Sequence, residues 1–233
     1  GTALAMAGLR REIRSLKKKV NTGLGTYVYK RIADSTLASS AKLVNYGIYE
    51  ASNLSKIEGA IDALPVYDPS TATVTARDFT GTESQSLQIA NTWSRIIVRN
   101  NYLKPALVDV YLCTPKEDTS ITPKTAFTDG LADNVPSGYG ATTVKLFPTD
   151  SSVFKRLWKI QKHKRRVLVP GRTMMMTSRH GGFLYNPSVT DVHALSFQAK
   201  YKAHVYLIRI QGVVAHGATS GEGIADASVD MTF

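Results

Sequence analysis

The chain of 233 residues is long enough for one large domain, and its 43% hydrophobic and 20% charged residues are ordinary for a globular protein. Its net charge of +11 and its pI near 9.7 are unusual, and they favour a polyanionic partner, nucleic acid before membranes or acidic glycans. The single cysteine, Cys113, excludes an intrachain disulfide and a cysteine-based zinc site, and the sequence lacks the apolar run of about 18 residues that a membrane-spanning helix needs.

A basic amphipathic helix is predicted near the start of the chain. Apolar residues recur at helical spacing through residues 8–20, and cations fill most other positions: Arg10, Arg11, Arg14, Lys17, Lys18 and Lys19. Such a helix suits a membrane surface, a coiled coil or nucleic acid, but about two heptads are too few for a stable coiled coil. We interpret residues 1–25 as an arm that faces nucleic acid, with a plain solvated helix as the alternative.

From residue 26 onward the pattern is typical of β-strands. Runs rich in β-branched and aromatic residues alternate with turn residues, and the strongest strand candidates are 86–99, 106–113 and 196–214. Both faces of the last candidate are apolar from 205 to 208, which predicts a central strand that is covered on both sides. Arg209 then interrupts one face and is taken to mark the point where the strand leaves the core.

Short helices are expected only in the connections, one beginning at Thr122 and Pro123 and another at Asp150 or Ser151. We therefore predict that residues 26–233 form one all-β domain, a jelly roll of eight antiparallel strands in two sheets. Other two-sheet sandwiches and barrels fit the same pattern.

The most basic stretch of the sequence is residues 154–170, FKRLWKIQKHKRRVLVP. Its apolar ends predict anchoring in a core, while its middle carries seven cations and no acid: Lys155, Arg156, Lys159, Lys162, Lys164, Arg165 and Arg166. Because seven like charges repel one another, a phosphate chain is the partner that explains them most simply. The alternative is the solvated basic face of an ordinary strand.

Aromatic residues lie among the cations at two places. Lys30 and Arg31 follow Tyr27 and Tyr29, and cations beside aromatic rings are the combination that binds single-stranded nucleic acid. Trp158 lies within the basic stretch, but its apolar neighbours predict a core position rather than a stacking platform.

Patterns that would support catalysis or metal binding are weak. The five histidines have no metal-binding spacing, and the sequence contains neither a GxSxG motif nor a phosphate-binding glycine loop. Ser178 lies close to His180, yet no acid can be named that would orient the histidine. We predict no enzymatic activity, no cofactor and no metal site.

Two longer runs resemble a known family. Residues 147–173, FPTDSSVFKRLWKIQKHKRRVLVPGRT, and residues 183–217, FLYNPSVTDVHALSFQAKYKAHVYLIRIQGVVAHG, resemble capsid proteins of small circular single-stranded DNA viruses that encode a replication initiator. Residues 110–133 are similar to the same group more loosely. The likeness extends over long stretches of sequence rather than a short diagnostic motif, and it covers about half of the chain.

The resemblance implies a single jelly roll that assembles into an icosahedral T=1 shell, with a basic arm facing packaged single-stranded DNA. It also implies a location in the virion and in the host nucleus, with nuclear import factors and a host cell receptor as partners. Arms in this family are commonly richer in arginine than residues 8–20, which predicts a longer parent chain or a different virus group. Two alternatives stay open: the capsid of a small single-stranded RNA virus, and a non-viral jelly-roll module that binds nucleic acid or glycans.

Overall fold

The computed structural model of the protein describes residues 32–39, 45–52, 65–68, 73–76, 87–132, 147–185, 200–213 and 226–233. All of them belong to one compact unit, Ile32–Phe233. The predicted arm at residues 1–25, and with it the predicted boundary at residue 26, lies outside the described residues.

Strands dominate the described part of the chain, as the sequence predicts. In chain order they are β1 (Asp34–Ser39), β2 (Asn45–Ser52), β3 (Pro65–Asp68), β4 (Thr73–Ala76), β5 (Leu87–Asn100), β6 (Ala106–Pro115), β7 (Trp158–Leu168), β8 (Thr173–Tyr185), β9 (His204–Gly212) and β10 (Ala227–Thr232). The helices are α1 (Pro123–Ala132), a 3-10 turn (Pro148–Asp150) and α2 (Ser152–Leu157). None of the helices in the described residues is long and apolar enough to cross a membrane.

Eight of these strands form two four-stranded antiparallel sheets. Sheet A has the order β1-β10-β5-β8 and sheet B has the order β2-β9-β6-β7, while β3 and β4 pair separately. The pairing is nested: β1 pairs with β10, β2 with β9, β5 with β8, and β6 with β7. The first four of these strands along the chain, β1, β2, β5 and β6, therefore pair in reverse order with the last four, β7 to β10.

The two sheets face each other across an inner core, which makes the domain a β-sandwich. In β5 the buried Ile96 and Val98 alternate with the exposed Arg95 and Arg99, the period of a strand with one covered face. Sheet A and sheet B both contribute to this core: Leu37, Ile96, Val98, Ala106, Val108, Val110, Leu112, Leu168, Met174, Met176, Tyr206, Ile208, Ile210, Ala227, Val229 and Met231. Each large apolar side chain buried here contributes about 1.5–3 kcal/mol of transfer free energy.

A second core covers the other face of sheet B. Side chains of α1 and α2 pack on sheet B in one cluster: Tyr46, Tyr111, Cys113, Ala126, Phe127, Phe154, Leu157, Trp158, Val205 and Leu207. Strands β6 and β9 are consequently buried along almost their whole length. The prediction for residues 205–208 is confirmed, since Tyr206 and Ile208 face the inner core while Val205 and Leu207 face the helices.

Ser151 joins the two helices. Its hydroxyl accepts a hydrogen bond from the Phe154 amide, 3.1 Å away, and so caps α2, while the same hydroxyl donates to the Ala126 carbonyl of α1 at 2.8 Å. A Cβ atom at Gly130 would lie 2.1 Å from the Ser151 hydroxyl and 2.7 Å from the Val153 amide nitrogen. The helices therefore pack so closely that only glycine fits at this position.

Candidate nucleic-acid interface

The basic stretch forms α2 and β7, and β7 is an edge strand of sheet B. Its predicted anchoring is confirmed for Phe154, Leu157, Trp158 and Leu168, which are all buried, whereas Val167 and Val169 at the second apolar end are exposed. Trp158 is 1% exposed and is a core residue, as predicted. The other predicted nucleic-acid-binding cations lie outside the described residues: Arg10, Arg11, Arg14, Lys17, Lys18, Lys19, Lys30 and Arg31.

Two lysines of β7 close the edge of the sandwich. The Lys162 ammonium donates to the Thr177 carbonyl at 3.0 Å, and the Lys164 ammonium donates to the Met175 carbonyl at 2.8 Å. Both carbonyls belong to β8, the edge strand of sheet A. Unpaired carbonyls on an edge strand are open to pairing with another chain, and inward-pointing cations block that pairing. Lys162 and Lys164 thus have a role in the fold, whatever else they contact.

Arg165 points to the opposite side of β7 and binds a buried carboxylate. Its Nε atom lies 2.6 Å from Oδ1 of Asp109, and its Nη2 atom lies 3.3 Å from Oδ2. The Asp109 side chain is fully buried and also accepts from Arg209 Nη1 at 2.9 Å, while His163 Nε2 lies 2.8 Å from its Oδ1. The hydrogen bond to Asp109 raises the pKa of Arg165. Two guanidinium groups and an imidazole, from the strands β7 and β9 that flank β6, therefore surround the Asp109 carboxylate of β6.

Aromatic rings complete this ionic cluster. The guanidinium carbons of Arg165 and Arg209 each lie 4.8 Å from the centre of the Phe147 ring, and the His163 ring stacks on Tyr111 at 4.3 Å. Burial raises the pKa of the Tyr111 hydroxyl above its ordinary value. Charges in such surroundings are tolerated only when they are paired and hydrogen-bonded.

Sequence reasoning overlooked Asp109 and placed Arg209 wrongly. Arg209 does not mark the end of the core; it is 1% exposed, and its charge is balanced by Asp109 on the adjacent strand. The sequence contained a signal for this ion pair. Asp109 and Arg209 are each a single charged residue within an otherwise apolar strand, and a buried charge requires a partner. Two such strands predict one ion pair, provided that the strands are neighbours.

The side chains of four cations of the basic stretch remain exposed and form no hydrogen bond or ion pair with any described residue: Lys155, Arg156, Lys159 and Arg166. Lys155 and Arg156 belong to the last turn of α2, and Lys159 and Arg166 lie near the two ends of β7. The seven cations therefore do not form a single uniform surface. Four are available to a partner, two bind β8, and one binds Asp109.

A cleft opens between β7 and β8 at one end of the sandwich. It has a volume of about 430 Å³, and cations on its wall include Lys162, Arg179 and Lys202. The ring of His180 stacks on that of His204 with 3.1 Å between centres, and the Ser178 hydroxyl lies 2.7 Å from Nε2 of His180. Burial lowers the pKa of His204 to about 3, and it also lowers the pKa of His180.

Ser178 and His180 therefore meet. Among the described residues that line the cleft there is no Asp or Glu that could complete a catalytic triad with them. No group of three potential metal ligands occurs in the part of the chain that the structure describes. In comparisons with known proteins, neither a protein-family model nor a curated protein matches the chain.

Proposed function

We propose that this protein is a viral capsid protein that assembles into a small icosahedral shell and packages single-stranded DNA. The observation that carries the proposal is the nested pairing of eight strands in two four-stranded sheets. The likeness of residues 147–173 and 183–217 to capsid proteins of small circular DNA viruses supports the same conclusion from the sequence.

The fold proposed here is the single jelly roll. In a jelly roll the first strand pairs with the last, the second with the second last, and so inward, which produces two sheets by winding up one long hairpin. The separate pair β3–β4 is then an insertion between the second and third strands of the roll. Viral capsids and lectins both use this architecture, so the fold supports a capsid without distinguishing it from a lectin.

The charge of the chain favours the capsid. Lys155, Arg156, Lys159 and Arg166 are exposed cations without partners among the described residues, and a glycan-binding module does not need them. A T=1 shell of about 60 chains, each with a net charge of +11, would carry roughly +660. That charge is of the order of a small genome with one phosphate per nucleotide.

The proposal includes partners and a location. The chain would bind copies of itself in the shell and single-stranded DNA inside it, and would be found in the virion and in the host nucleus during assembly. Nuclear import factors and a host receptor would be further partners, and the basic arm would serve both import and DNA binding.

Electron microscopy of the purified full chain tests the proposal, with the ratio of absorbance at 260 and 280 nm measured on the same fraction. Closed uniform shells with a raised ratio support both assembly and packaging. Shells with an absorbance ratio typical of protein alone support the capsid role but contradict the packaging of nucleic acid. A monomer or small oligomer over a range of salt and pH contradicts the proposal and favours a binding module.

Digestion of the packaged material distinguishes the two virus classes. Sensitivity to DNase after the shell is opened supports the single-stranded DNA genome. Sensitivity to RNase alone would instead indicate the capsid protein of a small single-stranded RNA virus.

A further inference from the structure

The outer face of sheet A is exposed along β5 and β8. Both α1 and α2 pack on sheet B, so neither described α-helix covers this face. Side chains of β5 and β8 that point outward alternate with those of the inner core, and together they form what we call the Trp93 face: Asn91, Trp93, Arg95, Ile97, Arg99, Thr173, Met175, Thr177 and Arg179. Three of these residues are arginines and none is acidic.

Trp93 is the most distinctive residue of this face. It is 58% exposed, whereas Trp158, the other tryptophan of the chain, is 1% exposed. The guanidinium carbon of Arg95 lies 5.5 Å from the centre of the Trp93 ring, and Arg179 is directly opposite Trp93 in the register of β5 and β8. A large aromatic ring thus lies at the surface with a cation on its own strand and another on the neighbouring strand.

The arginines of this face, Arg95, Arg99 and Arg179, form no ion pair with an acid in the part of the chain that the structure describes. Among the described residues of sheet A, the nearest acid is Asp230 on β10, which is directly opposite Arg99 in the register and accepts hydrogen bonds from Thr36 at 2.9 Å and Asn101 at 2.7 Å. Arg95 and Arg179, on either side of the exposed indole, have no described acid opposite them in the sheet.

We infer that the Trp93 face binds single-stranded nucleic acid, with the Trp93 ring stacking on an unpaired base and Arg95 and Arg179 contacting phosphates. An exposed aromatic ring among uncompensated cations provides both interactions that sequence-tolerant single-strand binding requires. This inference rests on the proposed function in taking the packaged strand as the ligand. The site lies on β5 and β8 of sheet A, whereas β7 belongs to sheet B, and the face meets the basic stretch at the cleft whose wall includes both Arg179 and Lys162.

Tryptophan fluorescence tests the inference directly. The full chain is titrated with an oligothymidylate of about 15 nucleotides, a length within the range that single-strand sites occupy. Since Trp158 is buried, base stacking on Trp93 should quench the exposed component of the emission, and Trp93→Phe should abolish that quenching. Labelled oligonucleotide anisotropy on the same samples establishes that binding has occurred.

Binding affinities then measure the contributions of the ring and the cations. Trp93→Ala should weaken binding by about 5- to 150-fold, the range for loss of one stacked base, and Trp93→Phe should restore part of it. Arg95→Gln and Arg179→Gln should each lower the slope of log affinity against log salt by about 0.7. Lys124→Gln is the matched control, because this exposed lysine belongs to α1 on the far side of sheet B.

The outcomes separate this inference from the proposed function. If the protein forms shells that package DNA, but oligonucleotide leaves Trp93 emission unchanged and Trp93→Ala leaves the affinity unchanged, the inference is overturned and the capsid role remains. If oligonucleotide quenches Trp93 emission in a protein that forms no shell, nucleic-acid binding by the Trp93 face is supported and the capsid proposal is contradicted. A change in Trp93 emission upon self-association without nucleic acid, and no further change with it, would assign the face to a protein contact and overturn the inference.

Discussion

The two sheets of this sandwich use arginine in opposite ways. On sheet B, Arg209 is buried and Arg165 half-exposed, and both are held by one carboxylate, Asp109, beneath the helices. On sheet A, Arg95 and Arg179 are exposed and have no acidic partner within the described residues. The comparison teaches that the presence of a partner group in the fold, rather than residue type, separates structural cations from those that are available to a ligand.

The physical reason is the number of covered faces. The inner strands of sheet B, β6 and β9, are covered by sheet A on one face and by helices on the other, so a charge on them loses its water and must be paired. Sheet A is covered on one face, so its outward arginines stay hydrated and require no partner in order to fold. A polyanion can replace that water when it binds.

Removing the carboxylate of sheet B should have the largest effect. Asp109→Asn leaves the buried guanidinium of Arg209 without a counter-charge, and we expect unfolding free energy to fall by about 3–5 kcal/mol, measured by urea denaturation. Asp230→Asn on the exposed face of sheet A is the matched control and should cost less than about 1 kcal/mol. Equal losses in the two variants would contradict the distinction between the sheets.

Acid should destabilise the contact between the sheets where His180 and His204 stack. The pKa of His204 is lowered from 6.5 to about 3, so the unfolded chain takes up a proton that the folded chain does not. Stability should therefore fall as the pH drops below about 6.5 and continue to fall until about pH 3, with a loss from His204 of about 3 kcal/mol at pH 4. Denaturation midpoints of the wild type and His204→Gln, compared at pH 7 and pH 4, measure this contribution. A variant as acid-sensitive as the wild type would refute it.

A methyl group should disturb the helix layer of sheet B and leave sheet A unaffected. In Gly130→Ala the new Cβ meets the Ser151 hydroxyl and the Val153 backbone, and we expect a loss of about 1–3 kcal/mol despite the better helix propensity of alanine. Gly181→Ala on β8 is the control, since nothing lies within 4 Å of its added Cβ. Thermal denaturation of both variants gives the comparison, and a stabilised Gly130→Ala would show that the helices can separate without cost.

The smallest effect concerns the edge between the sheets. Because the ammonium groups of Lys162 and Lys164 already bind carbonyls of β8, removing them should change the salt dependence of nucleic-acid binding less than removing Lys159 or Arg166. Each glutamine variant at a true phosphate contact should lower the slope of log affinity against log salt by about 0.7. Equal slopes for all four variants would show that the lysines on the edge contact phosphates as well.

Local pattern was sufficient for much of the architecture. Alternation in β5, the wholly apolar run around Val205 to Ile208, and the helix starts at Pro123 and Ser151 all express side-chain periodicity or capping, which depend on near neighbours in the chain. The core position of Trp158 followed from its apolar neighbours for the same reason. These features were predictable because each is decided within about two turns or one strand.

The sequence alone determined an all-β chain with short helices in its connections and a strong excess of positive charge. Only the tertiary structure decided what each cation does. Pairing of β6 with β9 brings Asp109 opposite Arg209, although the two lie far apart in the chain. The approach of the consecutive edge strands β7 and β8 brings Lys162 and Lys164 onto carbonyls of β8. The face that carries Trp93 likewise exists because β5 and β8 are neighbours, and neighbours in a sheet are set by long-range pairing that no local window contains.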